Sequence, residues 1–295
     1  MASGTKNKKW FGYALYVVLV TIILLYYLFP AQPVEELLNN SVSRISPEFS
    51  FKAEKIRPGI PAGVKITAGK IYLNESPDPA VFIMDSFFIG PQVLKIIKGE
   101  YSFDLDGEAY KGDINGTLQL TGEDKDISSA VTFRNLALAE YSFLAEKFKH
   151  RLIGSLSGEI IYSNESAGAT GGSGKADLRL SDGQLQFEAP VLNITSIDLQ
   201  SIKLEAELSR RVITISKGEL AGSEVNGTLT GSIQLQKDIR LSQLNLKGTL
   251  EPLAEFYKNY PEISQLLKAM KKRVKRGQYY FTVTGTLGEP KFNLL

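Results

Sequence analysis

The chain contains one histidine, His150, and no cysteine. Thiolate metal sites, cysteine nucleophiles and disulfides are therefore excluded, and zinc chemistry of the usual kind lacks its imidazoles. His150 follows the lysine-rich end of an expected helix and reads as an exposed last-turn residue favoured by the helix dipole. Residues 169–175, ATGGSGK, come near to a phosphate-binding loop. That chemistry needs Gly-Lys followed by Ser or Thr for magnesium, leaving a strand and opening a helix. Here Ala176 stands in place of the hydroxyl, and the next residues alternate like a strand. Residues 154–158, GSLSG, match a nucleophile elbow only as letters, since the context reads as strand rather than as a strand-to-helix turn. Asp104, Asp106 and Glu108 share one side of an alternating strand, and Asp124 and Asp126 fall in a loop. Without the twelve-residue calcium pattern they read as solvated carboxylates. Asn115 and Asn226 open Asn-Gly-Thr triplets, which are glycan acceptors in a eukaryotic secretory protein and turn residues otherwise. No catalytic residue, metal ligand or cofactor is expected. The net charge of +2 lacks the basic excess of a nucleic-acid binder.

The elements around these residues say more. Residues 10–29, WFGYALYVVLVTIILLYYLF, carry no charge and would span about 30 Å as a helix, which matches the hydrocarbon core of a bilayer. Trp10, Tyr13, Tyr26, Tyr27 and Phe29 lie near its two ends, the aromatic ones suited to the interfaces. Lys6, Lys8 and Lys9 precede it, and no Lys or Arg follows before Arg44. The expectation is a single-pass anchor with a cytoplasmic N-terminus, residues 1–9, and the main domain across the membrane. A cleaved signal peptide would have a shorter apolar core and a small-x-small site, and the Phe-Pro-Ala after this run is a poor one. The lack of cysteine fits a bacterial envelope protein.

Residues 30–47 form a connector, with Val34, Leu37, Leu38 and Val42 at helical spacing after Pro33. From there the period is two, as in Tyr101, Phe103 and Leu105 or in Leu204, Ala206 and Leu208. Asp106-Gly107, Asn115-Gly116, Asp182-Gly183 and Asn226-Gly227 read as hairpin turns between such runs. The fold class is mainly β: an N-terminal transmembrane helix, then a twisted antiparallel sheet with a few short helices. The pattern also repeats. VKITAGKIYL, residues 64–73, matches LRLSDGQLQF, residues 178–187. GDINGTLQL, residues 112–120, matches GTLTGSIQL, residues 227–235, and a helix follows each. Two similar units are expected, 48–162 and 175–295, separated by the Gly/Ser-rich loop 163–174. Helices are placed at 139–149 and 251–276, the latter restarting at Pro261.

The helix 261–276 presents the most distinctive surface. Ile263, Leu266, Leu267, Met270 and Val274 make an apolar stripe, and Lys268, Lys271, Lys272, Arg273, Lys275 and Arg276 crowd its last turns. It reads either as a packed helix whose cations complement its dipole, or as a contact for anionic lipid or an acidic partner.

The anchor, the glycine-punctuated strands and the ending FTVTGTLGEPKFNL, residues 281–294, together resemble the inner-membrane-anchored form of the type II secretion system protein N family. The ending also looks like that of AsmA-type envelope proteins. The resemblance implies a non-enzymatic protein of the bacterial inner membrane with a periplasmic β domain. One reading is an accessory subunit that scaffolds other secretion-system subunits. The other is an AsmA-like protein whose apolar β groove binds or transfers phospholipid. No catalytic motif is carried across by either likeness.

Overall fold

The computed structural model describes residues 27–45, 49–59, 62–74, 79–121, 126–148, 150–164, 172–191, 194–236, 238–262, 274–275 and 277–295, with residues 10, 12, 13, 15–17, 19–21 and 24 before them. The alternating runs form one antiparallel sheet of fifteen strands among the described residues. They are β1 (Phe49–Gly59), β2 (Gly63–Leu73), β3 (Phe82–Pro91), β4 (Tyr101–Ala109), β5 (Gly112–Thr121), β6 (Asp126–Ala137), β7 (His150–Ser163), β8 (Ser173–Val191), β9 (Ile194–Ser209), β10 (Val212–Ala221), β11 (Val225–Gln234), β12 (Gln243–Pro252), β13 (Val274–Lys275), β14 (Gln278–Thr286) and β15 (Pro290–Leu294). Up to β12 each strand pairs with the next, and β12 then pairs with β14. The far edge of β14 is shared end to end by β13, opposite Gln278 and Tyr279, and β15, opposite residues 281–285. The mainly β expectation holds.

Besides the helical residues of the N-terminal run, the helices with described bounds lie at the edge and in connections. They are α1 (Ala31–Ile45), α2 (Val93–Ile97) between β3 and β4, α3 (Ser142–Phe148) between β6 and β7, and α4 (Ala254–Asn259) after β12. The two ends of the sheet differ. One end holds the β1–β2 turn and α2. The other holds the α3 and α4 connections, because even-numbered strands up to β12 finish there.

Several expectations change on the folded chain. The Gly/Ser-rich loop joins two paired strands: β7 and β8 pair beside it from Ser163↔Ser173 to His150↔Phe187, with a register shift between Ile153 and Ser155. His150 therefore opens a strand instead of closing a helix. Gly107, Gly116 and Gly227 lie inside strands, not at turns. Two of the two-residue turns are Tyr110-Lys111 and Arg210-Arg211, all four with positive φ. Val274 and Lys275, placed in the basic helix by their spacing, form a strand. Gly277, at φ +81, lets the chain reverse tightly so that Lys275 pairs with Gln278. The two matched segments do take equivalent places. Ala68 and Asp182, each just before the central glycine, both carry positive φ. The β2/β8 and β5/β11 pairs are each six strands apart, and α3 and α4 follow β6 and β12.

Candidate functional site

Side-chain alternation gives the sheet two unlike faces. The register traces one continuous row across it: Ile66, Phe87, Gly107, Ile114, Phe133, Gly158, Leu178, Leu204, Gly218, Leu229, Gly248, Phe281 and Leu294. Every member is apolar. The next row on the same face runs through Ile89, Leu105, Gly116, Val131, Ile160, Ala176, Ala206, Ile215, Gly231, Leu246, Val283 and Phe292, and is apolar as well.

Glycines in these rows stand beside large residues. A Cβ on Gly107 would run into the Phe87 ring, and one on Gly248 would lie 2.5 Å from Phe281 Cζ. Small beside large lets each ring lie flat over its neighbour strand, which suits a face that bends inward. The glycines that mark the sequence thus serve the apolar face.

Burial along this face is uneven. Phe51, Ile66, Met84, Ile114, Phe133 and Leu136 form a packed cluster in the first strands, with Leu38 and Val42 of α1 against it. At the α4 end, Phe256 packs with Val225, Phe187, Ile197 and Leu250, and Tyr260 donates to the Ser196 carbonyl. Between and beyond these, Leu105, Leu118, Leu178, Leu204 and Leu229 are half-buried, Ile160 is 43% exposed and Phe292 is 56% exposed. Among the described residues, part of this face is therefore open.

The opposite face is charged and solvated. Lys175 pairs with Glu207 at 3.1 Å, and Lys217 lies 3.8 Å from Glu205 and 3.4 Å from Glu219, all well exposed. Such pairs add little stability. Asp104, Asp106 and Glu108 are exposed on this face, as expected. Among the described residues no three His, Cys, Asp or Glu side chains come together as a metal site would need. Burial pushes the Tyr279 hydroxyl up to about 12, and that of Tyr110 likewise. Tyr110 accepts a hydrogen bond from the Ile83 amide at 2.8 Å and meets the Phe82 and Tyr141 rings edge to face, so its role is structural.

The edges are equally unlike. Glu35, Asn39 and Ser43 follow one face of α1 at four-residue steps. The Ala53 and Phe51 amides donate to Glu35 Oε1 and Asn39 Oδ1 at 3.2 and 2.8 Å, and Ser43 Oγ donates to the Phe49 carbonyl at 3.3 Å. These are the outward groups of β1 that another strand would use. The connector expected before the sheet is thus its edge cap. At the other edge β15 is short and mostly exposed.

The expected membrane residues are only partly described. Trp10 and Tyr13 are helical and 70% and 72% exposed, Tyr27 is exposed and Phe29 half-buried, and Tyr26 lies outside the described residues. Leu15, Tyr16, Val17, Leu19 and Leu24 are exposed too. Among the described residues no helix is long and apolar enough to cross a membrane. Lys268, Lys271, Lys272, Arg273 and Arg276 lie outside the described residues, and Lys275 has its backbone in β13.

In comparisons with known proteins, no family model, no curated protein and no solved structure matches the chain.

Proposed function

We propose that this is a non-enzymatic, membrane-anchored envelope protein whose sheet offers its apolar face to lipid acyl chains. The observation that carries the reading is the unbroken apolar face from β2 to β15, half-exposed over its middle strands. Water is a poor partner for a surface of that extent, and patches of this kind mark binding sites. An acyl chain needs only a trough without polar groups, and this face supplies one. The uncharged run at residues 10–29, whose described part exposes Leu15, Val17, Leu19 and Leu24, would hold the sheet at the membrane from which lipid comes. We place the protein in the bacterial inner membrane with its sheet in the periplasm, from the lysines before that run.

A second reading is scaffolding within the type II secretion machinery, as the resemblance implies. It is favoured by β15, a short and mostly exposed strand at the edge of the sheet, beside which a strand from a partner subunit could add.

A photo-crosslinking residue at Leu204, on the apolar face, and another at Glu207, on the charged face, separate these readings in cells. Phospholipid captured at Leu204 and not at Glu207 supports lipid binding. Protein captured at Leu204, with no lipid, overturns it in favour of the scaffold.

A further inference from the structure

The helix α2 is built onto the sheet yet turned outward. Gln92 precedes it. Its backbone amide donates to the Ser102 carbonyl at 2.8 Å, its side chain donates to Asp104, and the buried Ser102 hydroxyl donates to its Oε1 at 2.9 Å. This fixes the helix at the end of β3 and β4. Ile96 is half-buried, but the other apolar side chains face away from any core: Leu94 is 79% and Ile97 76% exposed, and Val93 and Tyr101 are exposed beside them. Lys95 and Lys98 flank them. Folding gains nothing from such residues in water.

The place of α2 says what covers them. Because Glu35, Asn39 and Ser43 meet Ala53, Phe51 and Phe49 in that order, α1 runs antiparallel to β1. Its N-terminus therefore lies toward the end of the sheet that holds the β1–β2 turn. The N-terminal apolar run joins α1 there, at Phe29-Pro30. Register places Ile89 beside Val64 and Val64 beside Pro58, so β3 finishes at the same end. With strands about 4.8 Å apart, α2 stands on the order of 15 Å along the sheet from the α1 edge.

We propose that α2 is a second membrane contact: Val93, Leu94, Ile97 and Tyr101 enter the interface of the bilayer that the N-terminal run crosses, and Lys95 and Lys98 meet anionic head groups. Apolar side chains beside lysines, with a tyrosine at the boundary, suit that layer. Two contacts fix the orientation of the sheet, which one helix would leave free to swing. This rests on the anchor in the reading above and not on its acyl-chain trough.

The chain has no cysteine, so single cysteines can be placed and labelled with an environment-sensitive fluorophore in the full-length protein. Four are made, at Tyr16, Leu94, Ile97 and Glu207, in vesicles of phosphatidylcholine and phosphatidylglycerol. Nitroxide lipids then report contact with the bilayer. The proposal expects quenching at Tyr16, strong quenching at Leu94 and Ile97 by shallow nitroxides, and none at Glu207. Quenching at Tyr16 without any at Leu94 and Ile97 overturns the α2 contact and leaves the anchor standing. No quenching at Tyr16 overturns both. Leu94 shielded from water yet not quenched would mean protein covers it, which also overturns the proposal.

Discussion

Asn39 of α1 accepts a hydrogen bond from the Phe51 amide at 2.8 Å, in the place where a further strand would pair with β1. A neutral hydrogen bond of this kind contributes about 1 kcal/mol. Asn39→Ala should lower stability by about that much, and Glu35→Ala with Asn39→Ala by somewhat more. The larger effect should be on association, because both changes open the outward amides of β1 to another chain. Light scattering after size exclusion should show concentration-dependent dimers or aggregates for the double variant and not for the parent. A monomeric double variant would mean that the apolar contacts of Leu38 and Val42 suffice to block the edge.

Gly248 sits between the backbone of β11 and the ring of Phe281, where a Cβ would lie 2.5 Å from Cζ. Gly248→Val must displace that ring from the apolar face, and overpacking of this sort costs about 1–3 kcal/mol. Thermal denaturation should show a clear loss. Phe281→Leu in the same chain should recover part of it, since a smaller partner leaves room for the valine.

The alternation that made the chain readable as antiparallel sheet was present in nearly every strand, and the half-turn repeat of Leu204, Ala206 and Leu208 assigns the apolar face correctly. The glycines were harder. Asp106-Gly107 and Asn115-Gly116 have the letters of hairpin turns, yet Gly107 and Gly116 are inner-face residues that make room for Phe87 and Val131. Local turn chemistry loses there to cross-strand packing, which depends on a partner some twenty residues away. The true turns at Tyr110-Lys111 and Arg210-Arg211 carry no turn signature, because bulky residues at positive φ are tolerated only when the strands on both sides enforce them. An antiparallel sheet was expected, but not how its two units join: a Gly/Ser-rich loop looks the same in sequence whether it links two domains or closes one hairpin. The polar ladder of Glu35, Asn39 and Ser43 was visible as a four-residue repeat, but its meaning needs the edge strand beside it.

Arg210 and Arg211 lie at φ +49 and +63 in the β9–β10 turn. Left-handed backbone costs a non-glycine residue about 1–2 kcal/mol. Arg210→Asn with Arg211→Gly installs the pair that this turn geometry prefers. The double variant should be more stable by about 1–2 kcal/mol, read as a raised melting temperature with an unchanged denaturant slope.

Burial pushes the Tyr110 hydroxyl up to about 12, from an ordinary value of 10.0. The folded chain therefore keeps this proton where the unfolded chain gives it up. Its contribution is full below pH 10 and is lost as pH rises through the folded value near 12, so stability should fall across that window. Tyr110→Phe should make this alkaline loss shallower. At neutral pH the same variant should be less stable by about 1–2 kcal/mol, because the Ile83 amide loses its acceptor. Denaturant titrations at neutral and alkaline pH separate the two effects. A variant with an unchanged alkaline slope would assign the loss to other tyrosines, with Tyr279, also raised to about 12 by burial, the first to examine.

Carboxylates placed at two points of the apolar face distinguish a core from a trough. Leu118 is half-buried between Phe103 and Ser129, beside the packed first strands, and Leu118→Asp should cost about 2 kcal/mol or more through desolvation. Ile160 is 43% exposed on the same face. Ile160→Glu can keep its charge in water, so its folding cost should be under about 1 kcal/mol. An acyl chain lying over β7 and β8 would nevertheless meet that charge directly. Ile160→Glu should therefore melt close to the parent and lose most of the phospholipid captured from Leu204. If it melts like the parent and captures lipid equally well, nothing apolar lies over β7, and the middle of the face is not where acyl chains bind. If it unfolds as Leu118→Asp does, the middle of the face is covered by protein, which favours a partner subunit over lipid.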